Sequence, residues 1–157
     1  MRSYIFILVF FIVGCSSGDT ETEQTTVDTV ATSQVYTPEK LYIWSVDSDS
    51  LTIIKNPAVK PEFYNVDSVI KGLNFQYPEI LLKKIEHSND TIYLKIDDAE
   101  YLTQRMGSTG PVFYMANVFF NLTSVPGIDY VHLDFREGDH ASPGILTPEN
   151  YKNYKQK

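Results

Sequence analysis

His132, Asp134, Glu137, Asp139 and His140 form the densest set of chemistry-bearing side chains in the sequence. Imidazoles and carboxylates are standard ligands of zinc and other divalent ions. His132 and Asp134 are two residues apart, which on a strand places both on one face, and Asp139-His140 follows within a turn. A metal held by His132, Asp134, Asp139 and His140 would activate a water, with Glu137 as its base, and the protein would be a small metal-dependent hydrolase. None of the spacings matches a metal signature such as His-Glu-x-x-His. A histidine on the wet face of a strand is also ordinary surface chemistry. The hydrolase is therefore the alternative reading, and no cofactor is expected.

The remaining constellations carry less. Ser142 lies two residues from His140, a separation that rarely gives nucleophile-and-base geometry, and Ser-Pro-Gly reads as a turn. Gly107-Ser108-Thr109-Gly110 precedes a helical pattern and could hold an anion on free backbone donors. No Lys follows at phosphate-loop spacing, so helix capping is the better reading. Tyr is frequent, at 11 residues. Tyr42, Trp44 and Tyr93 could share an exposed sheet face that stacks on sugars or a partner, although rings that merely cover a sheet edge explain them as well. With Asp139 and His140 these three make up the candidate binding surface. No catalytic residue is assigned.

Charge narrows the partners. Thirteen basic against 20 acidic residues give a net charge of −7. The only adjacent basic pair is Lys83-Lys84, which is too little for a phosphate-binding surface, so nucleic acid is not an expected partner.

These residues sit on a chain with clear punctuation. Met1-Arg2-Ser3 precedes an apolar run, Tyr4 to Val13, that ends in Gly14 and Cys15, the one cysteine of the chain. The run is shorter than the about 20 residues of a spanning helix and reads as an export signal. Ile12-Val13-Gly14-Cys15 resembles a bacterial lipobox, in which cleavage before the cysteine leaves that thiol carrying lipid. The expectation is a signal peptide over 1–14, a lipidated Cys15, and a protein held to the cell envelope by its acyl chains. Ser16-Ser17 stands where inner-membrane lipoproteins often carry Asp, which favours the outer membrane. Residues 16–39 hold seven Thr, three Ser and five acidic residues with no Lys or Arg. Such a composition cannot bury enough apolar surface to offset its chain entropy, so 15–39 reads as a disordered tether.

The folded body is expected over 40–146, with 147–157 as a C-terminal tail that begins in a short helix or turn at Thr147-Pro148-Glu149. Leu41 to Val46 and Leu51 to Lys55 read as strands about a turn at Asp47–Ser50. Asn65 is placed to cap a helix carrying Val66, Val69, Ile70 and Leu73 on one face. Ile80 to Glu86 and Thr91 to Ile96 read as a hairpin, the second arm alternating Ile92, Leu94 and Ile96 with Thr91, Tyr93 and Lys95. Pro111 to Ser124 is the strongest helix, with a stripe of Val112, Met115, Ala116, Phe119 and Leu122 and a cap from Ser108-Thr109-Gly110. Val131, Leu133 and Phe135 then alternate with Tyr130, His132 and Asp134 in a last strand. The order predicts an α+β fold: a mostly antiparallel sheet with two helices packed on one face.

Across Lys40 to Gly138 this order and several residues resemble the GerMN domain of sporulation and spore-germination proteins, which also occurs in bacterial lipoproteins. The residues concerned are Leu41-Tyr42-Ile43, the Ile96-Asp97 strand exit, Gly107 and Gly110 before the long helix, Leu122-Thr123 with Pro126-Gly127-Ile128 and Val131, and Glu137-Gly138. Lys71-Gly72-Leu73-Asn74 departs from the family's usual Leu-Leu-x-Gly-Pro run, and Gly138 to Gly144 extends past its usual end. The resemblance implies a non-catalytic envelope module, related in shape to the ring-building domains of secretion-like channels. Such a module works by contacting another envelope protein or cell-wall glycan.

Overall fold

Local sequence rules account for most of the elements. The computed structural model describes residues 42–47, 49–60 and 64–157. The export segment 1–14, Cys15 and the tether 15–39 lie outside the described residues. Strands β1 (Trp44–Asp47) and β2 (Thr52–Lys55) form an antiparallel hairpin. Its turn is held by Asp47, whose carboxylate accepts from Asp49 N at 3.1 Å and from Ser50 Oγ at 2.7 Å. Helix α1 (Val66–Gln76) is capped as its sequence requires, with Asn65 Oδ1 accepting from Ser68 N at 2.9 Å, and it buries Val69, Ile70 and Leu73. Val66, expected on that face, is half-buried at the first turn.

Strands β3 (Leu82–Ser88) and β4 (Thr91–Ile96) pair across the two residues Asn89 and Asp90, and Asn89 takes a left-handed φ of 54°. A π-helical turn, Tyr101–Arg105, leads into α2 (Gly110–Leu122). Strand β5 (Tyr130–Asp134) then returns parallel to β4, and the short β6 (Gly144–Leu146) runs antiparallel to β5. The β3–β4–β5–β6 sheet packs its Ile92, Leu94, Ile96, Val131 and Leu133 face inward, each 1% exposed or less.

The architecture is α+β with mostly antiparallel strands, and its strands divide into two sheets. Helix α2 lies between them, touching β1 on one side and β5 on the other. Its buried surface is correspondingly broad: Tyr114, Asn117, Val118 and Asn121 are buried along with Ala116, Phe119 and Leu122. Val112, expected in the buried stripe, is 52% exposed instead. The predicted Thr109 cap makes no side-chain hydrogen bond, and Pro111 alone marks the start.

The segment 147–157, read from the sequence as a tail, is built into the body. Thr147 and Asn150 cap a 3-10 turn, Pro148–Tyr151. Tyr151 stacks on Phe119 at 4.6 Å, and Tyr154 meets Phe120 at 5.3 Å. Strand β7 (Lys155–Gln156) adds to β2 in parallel. No helix among the described residues is long and apolar enough to cross a membrane.

Candidate functional site

Because β4 and β5 are parallel, their chains leave the sheet at the same edge, where parallel strands commonly gather ligand-binding loops. The exit of β4 supplies Asp97, Asp98 and Glu100, and the exit of β5 supplies Arg136 and Glu137. With Thr103 and Gln104 of the π-helical turn they line a cleft of about 520 Å³. A π-helical turn beside such a cleft is notable, since these turns concentrate at functional sites. Its wider hydrogen bond runs from Met106 N to Tyr101 O at 3.1 Å.

Two of the five charged groups lining the cleft, Asp97 and Glu100, are ion-paired. Asp97 meets Lys83 at 2.5 Å and Lys95 at 3.2 Å, and hydrogen bonds from these two ammonium groups, Lys83 first, hold its carboxyl below the usual range. Glu100 pairs with Arg105 at 2.6 Å and raises the guanidinium's affinity for its proton. Asp98 accepts the Glu100 backbone N–H at 3.0 Å and adds to the field on Arg105, and Glu137 accepts from Ser142 Oγ at 2.6 Å.

Close packing fixes one wall of the cleft. A Cβ on Gly138 would meet Gln104 Nε2 and Thr103 Cβ at 2.6 Å, so only glycine lets the loop lie this near the π-helical turn. His140 N then donates to Thr103 O at 3.1 Å. With its amide turned to suit both partners, Gln104 donates to Asp139 Oδ2 at 3.1 Å and accepts from Asp139 N at 3.2 Å.

These contacts decide where the residues of the proposed metal cluster go. His132 and Asp134 share the outer face of β5, as their spacing requires. Asp139 and His140 are drawn to the π-helical turn, and among the described residues no group of three or more His, Cys, Asp or Glu side chains could hold a metal ion. Ser142 bonds Glu137, not His140. Gly110 sits where a Cβ would meet Met106 Cβ at 2.6 Å, so a packing need accounts for it.

The aromatic trio is also divided. Trp44 belongs to the smaller sheet and turns its indole N–H to Ser124 Oγ at 2.6 Å, beside α2. Tyr42 precedes the same strand. Tyr93 lies on the other sheet, so the three do not share a face. Tyr93 packs instead against His132, ring centroids 5.3 Å apart. The register sets Glu86, Tyr93, His132 and Ile145 in one row across the outer face. Ile145 at the end of that row is 51% exposed.

Asp98, Glu100 and Arg136 were not singled out in the sequence. Their only local signal is that each closely follows a strand end, because the cleft exists through a parallel pairing of distant segments. No protein family, curated protein or solved structure matches the chain.

Proposed function

We propose that the protein is a lipid-anchored envelope protein whose GerMN-like body acts by binding, without catalysis, to another envelope protein or to cell-wall glycan. The location rests on the lipobox-like Ile12-Val13-Gly14-Cys15, and the domain type on the sequence resemblance across 40–138. The observation that carries the binding reading is the outer face of the four-stranded sheet, which is open among the described residues. Its inner face is buried under the helices, while Tyr93 and His132 lie side by side on the other face, between the exposed Glu86 and Ile145. Paired rings with a charged and an apolar neighbour give broad contact area with little side-chain entropy to lose.

A photo-crosslinking amino acid at Tyr93, in the protein expressed in its own envelope, tests this reading. The control carries it at Phe75, which is exposed on α1. An adduct with a protein or with glycan from Tyr93, and none from Phe75, is the expected result and identifies the class of partner. No adduct from Tyr93 would overturn the assignment of this face. Mass spectrometry of the mature N-terminus tests the anchor separately: an N-terminal, lipid-modified Cys15 is expected, and an intact Met1 with a free thiol would remove the envelope reading.

A further inference from the structure

We propose that the cleft at the carboxyl ends of β4 and β5 binds a small zwitterion, a molecule carrying both a carboxylate and a protonated amine, as a free amino acid or a short peptide does. This site is separate from the open sheet face and stands whether or not that face has a partner.

The charge balance of the cleft leads to this ligand. Asp97 is matched by Lys83 and Lys95, and Glu100 by Arg105. Three lining groups have no direct ion pair among the described residues. Arg136 makes no ion pair or hydrogen bond among the described residues. Among the described residues Glu137 is met only by the Ser142 hydroxyl, and Asp98 accepts a backbone N–H and feels the charge of Arg105 without pairing to it. A simple anion drawn to Arg136 would also face the carboxylates of Asp98 and Glu137. A simple cation drawn to those carboxylates would face the guanidinium. A zwitterion satisfies both signs, with its carboxylate on the forked donors of Arg136 and its amine on Glu137 and Asp98.

Size and rigidity fit the same ligand. A volume of about 520 Å³ lies within the range of small-molecule sites. Such sites are usually apolar with a few polar groups, whereas this one is lined mainly by charged and amide side chains, which selects for a polar ligand. The segment bearing Arg136 and Glu137 is held by Gly138 against Thr103 and Gln104, and by the Gly138 N to Ala141 O hydrogen bond at 3.1 Å. A wall set in advance lowers the ordering cost of binding.

The test is a titration of the full-length, isotope-labelled chain in detergent, followed by amide resonances. The probes are glycine and diglycine, with N-acetylglycine lacking the amine charge and glycinamide lacking the carboxylate. Saturable shifts at Asp98, Thr103 and Glu137 are expected with glycine, diglycine or both, and the stronger of the two tells a free amino acid from a peptide. Each blocked probe is expected to bind at least about tenfold more weakly, as is either zwitterion to Arg136→Gln. Arg136 is exposed, so that change leaves the core intact, and unchanged resonances elsewhere verify this. No saturable shift with either zwitterion at concentrations well above about 1 mM would overturn the proposal. So would equal binding of the blocked probes, or undiminished binding by Arg136→Gln.

Discussion

The carboxamide of Asn121 accepts the Trp44 amide proton at 2.9 Å and donates to the Trp44 carbonyl at 2.8 Å, the two bonds a neighbouring strand would make. The same oxygen accepts from Ile43 N at 2.5 Å. A helix side chain thus completes the edge of β1 that faces away from β2, and it joins the smaller sheet to α2. Asn74 on α1 does the same for the start of β3, accepting from Leu82 N at 2.8 Å and donating to Leu82 O at 3.0 Å.

Asn121→Ala should therefore cost far more than its small change in apolar contact. It strands two backbone donors and an acceptor where Ile43 is fully buried, and each unsatisfied buried group costs about 1–3 kcal/mol. A loss of about 3 kcal/mol is expected in urea unfolding. Asn74→Ala, at a half-buried site, should lose about half as much. A loss below about 1 kcal/mol for Asn121→Ala would show that water replaces the amide at β1.

Gly138→Ala should dislodge the loop that carries Asp139 and His140. Its Cβ has no room against Thr103 and Gln104, and overpacking of this kind costs about 1–3 kcal/mol. The His140 amide, protected by its bond to Thr103 O, should exchange faster with solvent. Gly127→Ala serves as a control for backbone strain without a clash, since Gly127 has φ +85° and open space around it. If the His140 amide keeps its protection in Gly138→Ala, the packing argument fails.

How far the sequence carried this structure depended on the range of the interaction. Asn65 and the stripe Val69, Ile70, Leu73 are local signals, and the helix they predict is present. The alternation of Ile92, Leu94 and Ile96 likewise gave both the strand and its buried face. The division into two sheets was not legible, because Asn121 is 77 residues from Trp44 and reads locally as a polar residue in an apolar helix. Strand β7 is two residues long and is defined only by its pairing with β2. That His132, Asp134, Asp139 and His140 do not form one group among the described residues has a similar reason. Two-residue spacing placed His132 and Asp134 together, but the path of Asp139 and His140 is set by the fit of Gly138 against a distant turn.

Acid should weaken the link between β3 and β4 through Asp97. Its native carboxyl is held below the unfolded value by Lys83 and Lys95. The stabilisation is then fully present above the unfolded pKa of about 3.9 and is lost as pH falls through the lower native value. Asp97 is 49% exposed, so screening keeps the effect small. The midpoint advantage of the native protein over Asp97→Asn is expected to narrow as pH falls below about 4, and to shrink in high salt at neutral pH. A gap that is constant across this range would mean that the two lysines do not engage Asp97 in solution.

Zinc should leave the melting midpoint unchanged. An ion bound only by the folded state must raise stability in proportion to the logarithm of its concentration over its dissociation constant. His132 and Asp134 are separated from Asp139 and His140 by the turn of the loop onto Thr103. A rise that grows with zinc and disappears in His132→Ala would restore the hydrolase as a candidate.

Tyr114 offers the reverse of the Asn121 experiment, because removing a polar group there should do no harm. Its ring is fully buried and meets the Tyr77 ring edge-on at 5.0 Å, yet among the described residues no group hydrogen-bonds its hydroxyl. Burial accordingly pushes the phenol well above its usual pKa. Folding removes this hydroxyl from water without a compensating bond, a loss of about 1–3 kcal/mol. Tyr114→Phe keeps the ring contacts and abolishes that loss, so it should be neutral or stabilising by up to about 2 kcal/mol. Tyr77→Phe should instead destabilise, because the Tyr77 hydroxyl accepts from Asn117 Nδ2 at 3.0 Å. The pair of variants compares a fully buried phenol without a partner and a half-buried one with a partner. If Tyr114→Phe lost as much stability as Tyr77→Phe, the Tyr114 hydroxyl would have to be bonded in solution.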